Sequence, residues 1–350
     1  MQSIRKILSY CLFPLTIWYA VGVRIRGILF DWGILKEESA PVATIGVGNL
    51  ATGGTGKTPH TEYLLRLLHN NYTTAFLSRG YRRKSKGFHL ASEPSSLTPA
   101  ELLGDEPSMV ASKFPDVISS VCEKRMEGIR NLMQLEKKPQ VIVLDDVYQH
   151  RYVKPSVNIL LSEYERPFYD DRILPFGNLR ESRRESRRAD LIVITKCPHD
   201  LSYEKQNEIR NRLHPLPHQK VFFSCLDYGL PVALEGSSHL SKDASHILLF
   251  TGIVHPQPLK KHLEKDHKVT LFQFPDHHDF TREEIQNLIN TFHQIPSSRK
   301  IILTTEKDAA RLRNTLEFRL FESLPIGYVP IEVRFLNSSH DFDQTIINHI

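Results

Sequence analysis

Between residues 52 and 58 the chain reads Thr52-Gly53-Gly54-Thr55-Gly56-Lys57-Thr58, and each residue type in that run has a part in holding a polyphosphate. Glycines let the backbone turn sharply and bring its N–H groups up to phosphate oxygens, and the start of a following helix adds its positive dipole end. Lys57 is spaced to reach the β- and γ-phosphates, and the Thr58 hydroxyl to take a position on Mg²⁺. The pattern is G-x-x-x-x-G-K-[ST] with one departure, Ala51 where the first glycine usually stands.

A nucleoside triphosphate held this way needs a carboxylate on its metal side. Asp145-Asp146 supply it, directly behind the apolar, β-branched run Val141-Ile142-Val143-Leu144. A kinase further needs a carboxylate to accept the proton of the attacking hydroxyl, where a hydrolytic switch typically orients water with a glutamine. Asp105, in the turn Gly104-Asp105-Glu106-Pro107, is the candidate base. Ser78-Arg79-Gly80-Tyr81-Arg82-Arg83-Lys84 could meet phosphate and sugar, or be a solvated loop. Phe274-Pro275-Asp276-His277-His278-Asp279-Phe280 suits metal binding, proton transfer or surface charge pairing. Lys196 and Thr305-Glu306-Lys307-Asp308 are further polar groups emerging behind apolar runs, and neither forms the N-K-x-D pattern that guanine recognition would require. If the stretch from Arg180 to Arg188 is helical, Arg180, Arg183, Arg184, Arg187 and Arg188 share a stripe with Glu181 and Glu185 beside it. Such a stripe could carry an anionic head group or simply be a solvated, salt-bridged face.

These groups need rigid elements to aim them. Apolar runs at 43–48, 74–78, 141–145, 157–161, 190–195 and 220–225 read as strands alternating with helices, the pattern of a doubly wound parallel sheet. Pro59 stands in the first turn of a helix expected over 57–69, with Tyr63, Leu64, Leu67 and Leu68 at helical spacing. A Gly/Pro/Ser-rich break from Gly229 to Ser238 predicts a boundary, and strands at 247–250, 269–272 and 301–304 predict a second, smaller α/β unit. The expected organisation is an apolar membrane-associated segment over 1–40, a P-loop domain over 41–228 and a smaller α/β domain over 229–350.

At 350 residues and 40% apolar content the chain can build two cores, and a formal charge of +5 favours an anionic partner without choosing one. Cys11, Cys122, Cys197 and Cys225 have no CxxC or Cys/His spacing, which argues against a zinc site or a disulfide framework. From Ile7 to Val23 no residue is charged, but Pro14 interrupts the run and basic residues flank it on both sides. With Tyr10, Trp18, Tyr19 and Trp32 nearby, Ile4 to about Leu35 reads as helical segments lying in or dipping into a membrane surface. A signal peptide and a helix packed on the protein's own sheet are the other two readings.

Taken in order, Gly53 to Pro59, Ser78 to Tyr81, Gly104 to Pro107, Asp145-Asp146 with Gln149-His150, Leu174-Pro175 through Leu179-Arg180-Glu181, Asp276-His277-His278 and Thr305 to Asp308 resemble the tetraacyldisaccharide 4'-kinase family of lipid A biosynthesis. The likeness runs over most of the chain. It departs at Val147-Tyr148, where a glycine and an apolar residue are usual, and at Phe176-Gly177-Asn178, where Ala-Gly-Pro is. The resemblance implies a P-loop kinase that moves the γ-phosphate of ATP, with Mg²⁺, to the 4'-hydroxyl of an acylated glucosamine disaccharide 1-phosphate. The loop from Thr52 to Thr58 would bind nucleotide; Thr58, Asp145 and Asp146 would serve the metal. Lys57, Asp105 and His277 would be catalytic, with His277 pairing with Asp105, while Tyr81, Arg125 and Arg180 would meet substrate or phosphate. It further implies a peripheral or monotopic position on the cytoplasmic face of the inner membrane, with a lipid partner and neither nucleic acid nor an obligate protein partner. A membrane-associated P-loop NTPase that drives assembly or transport is the competing expectation.

Overall fold

The computed structural model describes residues 13–241, 243–276, 278–313, 315–337 and 339–350, with the side chains of residues 13–15 left aside. Along the chain come α1 (Phe13–Asp31), β1 (Glu38–Ser39), β2 (Ala43–Asn49), α2 (Lys57–Leu68), β3 (Thr74–Ser78), β4 (His89–Leu90), α3 (Pro99–Leu103), α4 (Asp105–Lys113), β5 (Ile118–Val121), α5 (Arg125–Leu132), β6 (Val141–Leu144), β7 (Val153–Lys154), β8 (Val157–Glu163), β9 (Leu191–Thr195), α6 (Tyr203–Leu213) and β10 (Lys220–Tyr228). Then follow β11 (Val232–Ala233), β12 (His246–Thr251), α7 (Gln257–Leu263), β13 (Lys268–Gln273), α8 (Arg282–Gln294), β14 (Lys300–Thr305), α9 (Glu306–Arg313), β15 (Ile326–Val329), β16 (Ile331–Phe335) and α10 (Ser339–Ile347).

Two sheets carry the architecture. The first has nine strands in the order β16-β10-β9-β8-β2-β6-β3-β5-β4, parallel except for the edge pairs β10–β16 and β4–β5. The second has five, β11-β15-β14-β12-β13, parallel except for β11–β15. The central strands read as unbroken apolar runs because both faces are covered, and β3, β6 and β9 are buried at every residue. On one face, Leu64, Leu65 and Leu68 of α2 join Phe335, Phe342 and Ile346 in the same core. A separate core under the second sheet gathers Leu248, Phe250, Ile285, Leu288 and Phe292. The two-residue strands β1 and β7 pair in parallel beside the first sheet.

The sequence boundary near residue 229 falls where the second sheet begins, but the chain does not stay there. β16 returns to the edge of the first sheet, Ser224 opposite Phe335, and α10 packs against α2. The two sheets are therefore joined by two chain crossings, one on each side of 232–329.

β2 is the middle of the first sheet, with β6 on one side and β8 on the other. The chain leaves β2 toward β3 on one side and later passes from β6 to β8 on the other. A crevice opens outside the carboxyl ends of the strands at such a switch point. Gly48 permits the close packing there: a Cβ on it would lie 2.5 Å from Tyr148 Cβ. That is the Val147-Tyr148 segment in which the chain departs from the usual sequence of the family it resembles, and Tyr148 is buried with its hydroxyl donating to Glu185 O at 2.7 Å.

Candidate active site

The loop after β2 is shaped by its glycines and held by hydrogen bonds from neighbouring strands and from α2. Gly53 and Gly56 have φ of 106° and 90°, and α2 begins at Lys57 immediately after Gly56. Asn49 Nδ2 donates to Thr55 Oγ1 at 2.7 Å, and Thr195 Oγ1, at the end of β9, donates to Thr55 O at 2.9 Å. His60 braces the turn from within the helix, its Nδ1 2.7 Å from Gly56 O and its Nε2 2.9 Å from Ser224 Oγ. Burial pushes the His60 imidazole down to about 4, so it is neutral and its Nδ1–H is the group that donates to the carbonyl.

Ala51 needs no positive φ, and its place in the loop is explained by pairing. It bridges Leu179 in antiparallel fashion, with Thr52 N donating to Asn178 O and Arg180 N donating to Leu50 O, both at 2.7 Å. The segment 174–180 thus forms one wall of the loop's entrance and delivers Arg180 to the site. The stripe expected from Arg180 to Arg188 does not form. Only Arg183–Arg188 coil, as a 3-10 helix, and Arg180 lies ahead of them. Arg188 turns inward to Glu181 at 2.5 Å and Tyr148 O at 2.8 Å, while Arg183 donates to Asp171 O.

Lys57 Nζ lies 3.6 Å from Asp146 Oδ1 and 3.5 Å from Asn49 Oδ1. Arg180 approaches the same carboxylate at 3.3 Å and Gln149 Oε1 at 3.2 Å. Burial acts to raise the Asp146 carboxyl, but the Lys57 and Arg180 charges outweigh it and hold the group below the usual carboxylate range. Asp145 is the opposite case. Its Oδ2 accepts from Ser78 Oγ at 3.1 Å, its Oδ1 has no hydrogen-bonding partner among the described residues, and burial followed by the nearby Glu106 and Asp146 charges push it up to about 6. Two adjacent carboxylates are thus held in different states by their surroundings.

Arg125, expected to meet phosphate, is buried here. The residue is 1% exposed, and its guanidinium donates to Cys122 O and Asp145 O, each at 3.0 Å, which fixes the chain behind the Asp pair. Tyr81, 69% exposed, sits on the loop after β3 with Arg82 over its ring.

Asp105 opens α4. Gly104 before it has φ 93°, and a Cβ there would stand 2.8 Å from Tyr81 O, so the start of α4 and the Tyr81 loop pack backbone to backbone. Glu106 is near enough to Asp145 to influence its charge state, which brings the start of α4 to the Asp pair. From the second sheet, Arg311 Nε donates to Asp105 Oδ2 at 2.9 Å, and Lys307 Nζ reaches Glu106 at 3.5 Å and Asp276 at 3.9 Å. His277 lies outside the described residues. Its neighbour His278 is 2.9 Å from Glu284 and stacks on Phe274, a structural use of the second histidine.

The expected N-terminal segment is described from residue 13. Among the described residues no helix is long and apolar enough to cross a membrane. The polar side of α1 docks beside the site: Tyr19 OH donates to Arg180 O at 2.9 Å and Arg26 to Gln149 O at 3.0 Å, while Arg151 binds Asp31 and Glu37.

Asn49, Gln149 and Arg311 are the contributors that residue-level reading passed over. Asn49 and Gln149 have a positional signal, Asn49 as the polar last residue of the strand that leads into the phosphate loop and Gln149 as the third residue after Asp146. Arg311 has only its spacing, three residues after Asp308 on a helix.

The raised Asp145 carboxyl gives a pH prediction. A carboxyl whose folded value is about 6, against roughly 3.9 in an unfolded chain, favours the fold below the unfolded value and loses that contribution as pH rises through the folded one. Relative to Asp145→Asn, the metal-free protein is expected to lose roughly 3 kcal/mol of stability between about pH 4 and 7. Denaturant unfolding of both proteins across that range checks it, and parallel curves would refute it.

Comparison with known proteins follows the same lines. A family model described as Tetraacyldisaccharide-1-P 4'-kinase matches residues 8–350. A Tetraacyldisaccharide 4'-kinase of Flavobacterium johnsoniae is 46% identical over 352 residues, spanning 100% of this chain and 98% of that protein. One from Bacteroides fragilis is 42% identical, over 97% of this chain and 92% of its own length. Among solved structures, LpxK from Aquifex aeolicus in complex with ATP superposes with a TM-score of 0.72 at 29% identity, covering 98% of this chain and 99% of that one.

Proposed function

Because the chain belongs to the tetraacyldisaccharide-1-P 4'-kinase family, we propose that it transfers the γ-phosphate of ATP to the 4'-hydroxyl of an acylated glucosamine disaccharide 1-phosphate, using the residues gathered at the end of β2. One observation carries the assignment of roles. Lys57 and Arg180, the two cations a triphosphate would need, converge on Asp146 at 3.6 and 3.3 Å beside a helix start that bears Asp105. Phosphoryl transfer asks a protein chiefly for positioning and charge neutralisation. In this reading the phosphates replace Asp146 as partner of Lys57 and Arg180, backbone N–H groups of 52–58 cradle them, and Asp105 accepts the proton of the sugar hydroxyl. Tyr81 borders the space left for the sugar. Arg125 acts from behind, by holding Asp145.

The donor set suits Mg²⁺: Thr58, Asp146 and the buried Asp145 with its unpartnered Oδ1 would hold it. Bound there, the ion would neutralise charge on the β- and γ-oxygens. It would also favour the ionised form of Asp145, reversing the effect of burial.

A lipid acceptor calls for an enzyme at an interface. The outer side of α1 supports this, since Ile17, Trp18, Val21 and Ile25 recur at helical spacing and are 50%, 75%, 41% and 53% exposed. Trp32 and Ile34 extend the apolar surface beyond the helix, at 75% and 62%. In this reading the protein lies on the cytoplasmic leaflet, where ATP is found, and the same helix ties the lipid surface to Arg180 and Gln149. Replacing Ile17, Trp18, Val21 and Ile25 together by serine is expected to lower membrane-bound protein at least tenfold, because burying each such side chain contributes on the order of 1.5–3 kcal/mol. Vesicle sedimentation measures this, and unchanged partitioning would assign the anchor to another surface.

The activity itself is tested by incubating the protein with ATP, Mg²⁺ and detergent-dispersed disaccharide lipid and following lipid-linked phosphate. Label on the lipid is expected. ATP loss without labelled lipid would favour the competing reading, an NTPase that drives assembly or transport.

A further inference from the structure

The turn Thr305-Glu306-Lys307-Asp308 contains one of the most enclosed carboxylates among the described residues. Asp308 is 0% exposed, and its Oδ2 accepts from Thr251 Oγ1 at 2.8 Å, Thr305 Oγ1 at 2.6 Å and Gly252 N at 3.1 Å. It therefore ties together the carboxyl ends of β12 and β14. Its other oxygen faces Arg311 Nη1 at 3.5 Å, one turn further along α9. Arg311 is 8% exposed and donates from Nε to Asp105 Oδ2 at 2.9 Å. The result is a braced line from the second sheet, through Asp308 and Arg311, to a carboxylate on the first.

We propose that Arg311 is a positioning residue for Asp105, and that the turn ending in Asp308 exists to hold that guanidinium in place. The proposal rests on Asp105 being the base. The side chain of an aspartate at a helix start, here 38% exposed, has rotamer freedom that its partners must restrict. A charge-assisted bond from a guanidinium that is itself fixed removes that freedom and sets the plane of the carboxylate for proton transfer. A simple ion pair between the two sheets would need neither the burial of Arg311 nor its bracing by Asp308. This arrangement also gives the second sheet a role in the reaction, since it orients the group that activates the acceptor while the first sheet holds the donor nucleotide.

The test is a double-mutant cycle on the full-length protein, with lipid phosphorylation and ATP affinity as readouts. Arg311→Met is expected to lower kcat roughly 10- to 100-fold, the scale of a misplacement near 1 Å, with ATP affinity within about threefold of the parent. Arg311→Lys should recover part of that loss, since the charge returns without the fork. In an Asp105→Asn background, Arg311→Met should add less than about threefold, because the group it aims is already disabled. Equal losses in both backgrounds, or a normal kcat in Arg311→Met, would overturn the proposal while leaving Asp105 as base. Near-normal turnover of Asp105→Asn alone would instead remove the base, and this proposal with it. If Arg311→Met melts early, the comparison of Arg311→Lys in the two backgrounds decides the same question.

Discussion

Lys57→Met is expected to lower kcat/KM by roughly 10³-fold while leaving the fold intact, an effect of about 4 kcal/mol on the transition state. The stem of methionine replaces that of lysine, so what is lost is the charge. Lys57 stands at the first residue of α2, directly behind the left-handed Gly56, and its side chain is 16% exposed beside Asp146. The ion pair contributes little to stability, being partly solvated, whereas the same charge on a phosphoryl group in transfer acts only as charge develops. Thermal unfolding should therefore shift by no more than a few degrees. Because Asp146 loses the largest of the charges that hold it down, its carboxyl should move back toward the ordinary range. Lipid phosphorylation and ATP binding, measured side by side, check the prediction. Activity within tenfold of the parent would remove Lys57 from phosphate chemistry and take the nucleotide reading down with it.

The parts of this site that the sequence disclosed are those in which one short segment does the whole job. The loop from Thr52 to Thr58 is legible because glycine, lysine and threonine must be adjacent to work, and β2 and α2 on either side announce themselves by burial and by spacing. The Asp pair is legible for the same reason, since an apolar strand can deliver only what directly follows it. What was hidden is whatever depends on two distant segments meeting. Ala51 looks like a defect in the motif until Leu179 is seen pairing with it from across the crevice. The arginines after residue 180 follow helical arithmetic, yet Arg180 is drawn off by Asp146 and Arg188 by Glu181, so side-chain partners rather than periodicity set that backbone. Arg125 carries the residue type of a phosphate ligand but spends its donors on backbone carbonyls. The return of β16 to the first sheet has no local sign at all, because an edge strand of five residues is specified by the partner that lacks a neighbour, here β10.

Asp105→Ala is expected to slow phosphate transfer to lipid by roughly 10²–10⁴-fold, the range a positioned acid–base group contributes, which is about 3–5 kcal/mol. ATP affinity should be nearly unchanged, because Asp105 lies on α4 and not on the glycine loop. The variant separates kinase from NTPase chemistry more sharply than any change in the loop. A motor or switch built on the same phosphate cradle would lose little from it, whereas an enzyme that must ionise a sugar hydroxyl loses its proton acceptor. The structural cost is confined to the start of α4, where a carboxylate near the helix N-terminus contributes about 0.3–1 kcal/mol, and to Arg311, left buried without its 2.9 Å acceptor. Asp105→Asn keeps an oxygen for Arg311 and should fold better than the alanine variant while being nearly as slow. Both rates are read as lipid-linked phosphate per unit time at saturating ATP. Turnover of either variant within a few-fold of the parent would mean that the sugar hydroxyl surrenders its proton elsewhere, and that the contact between the two sheets at Asp105 serves assembly alone.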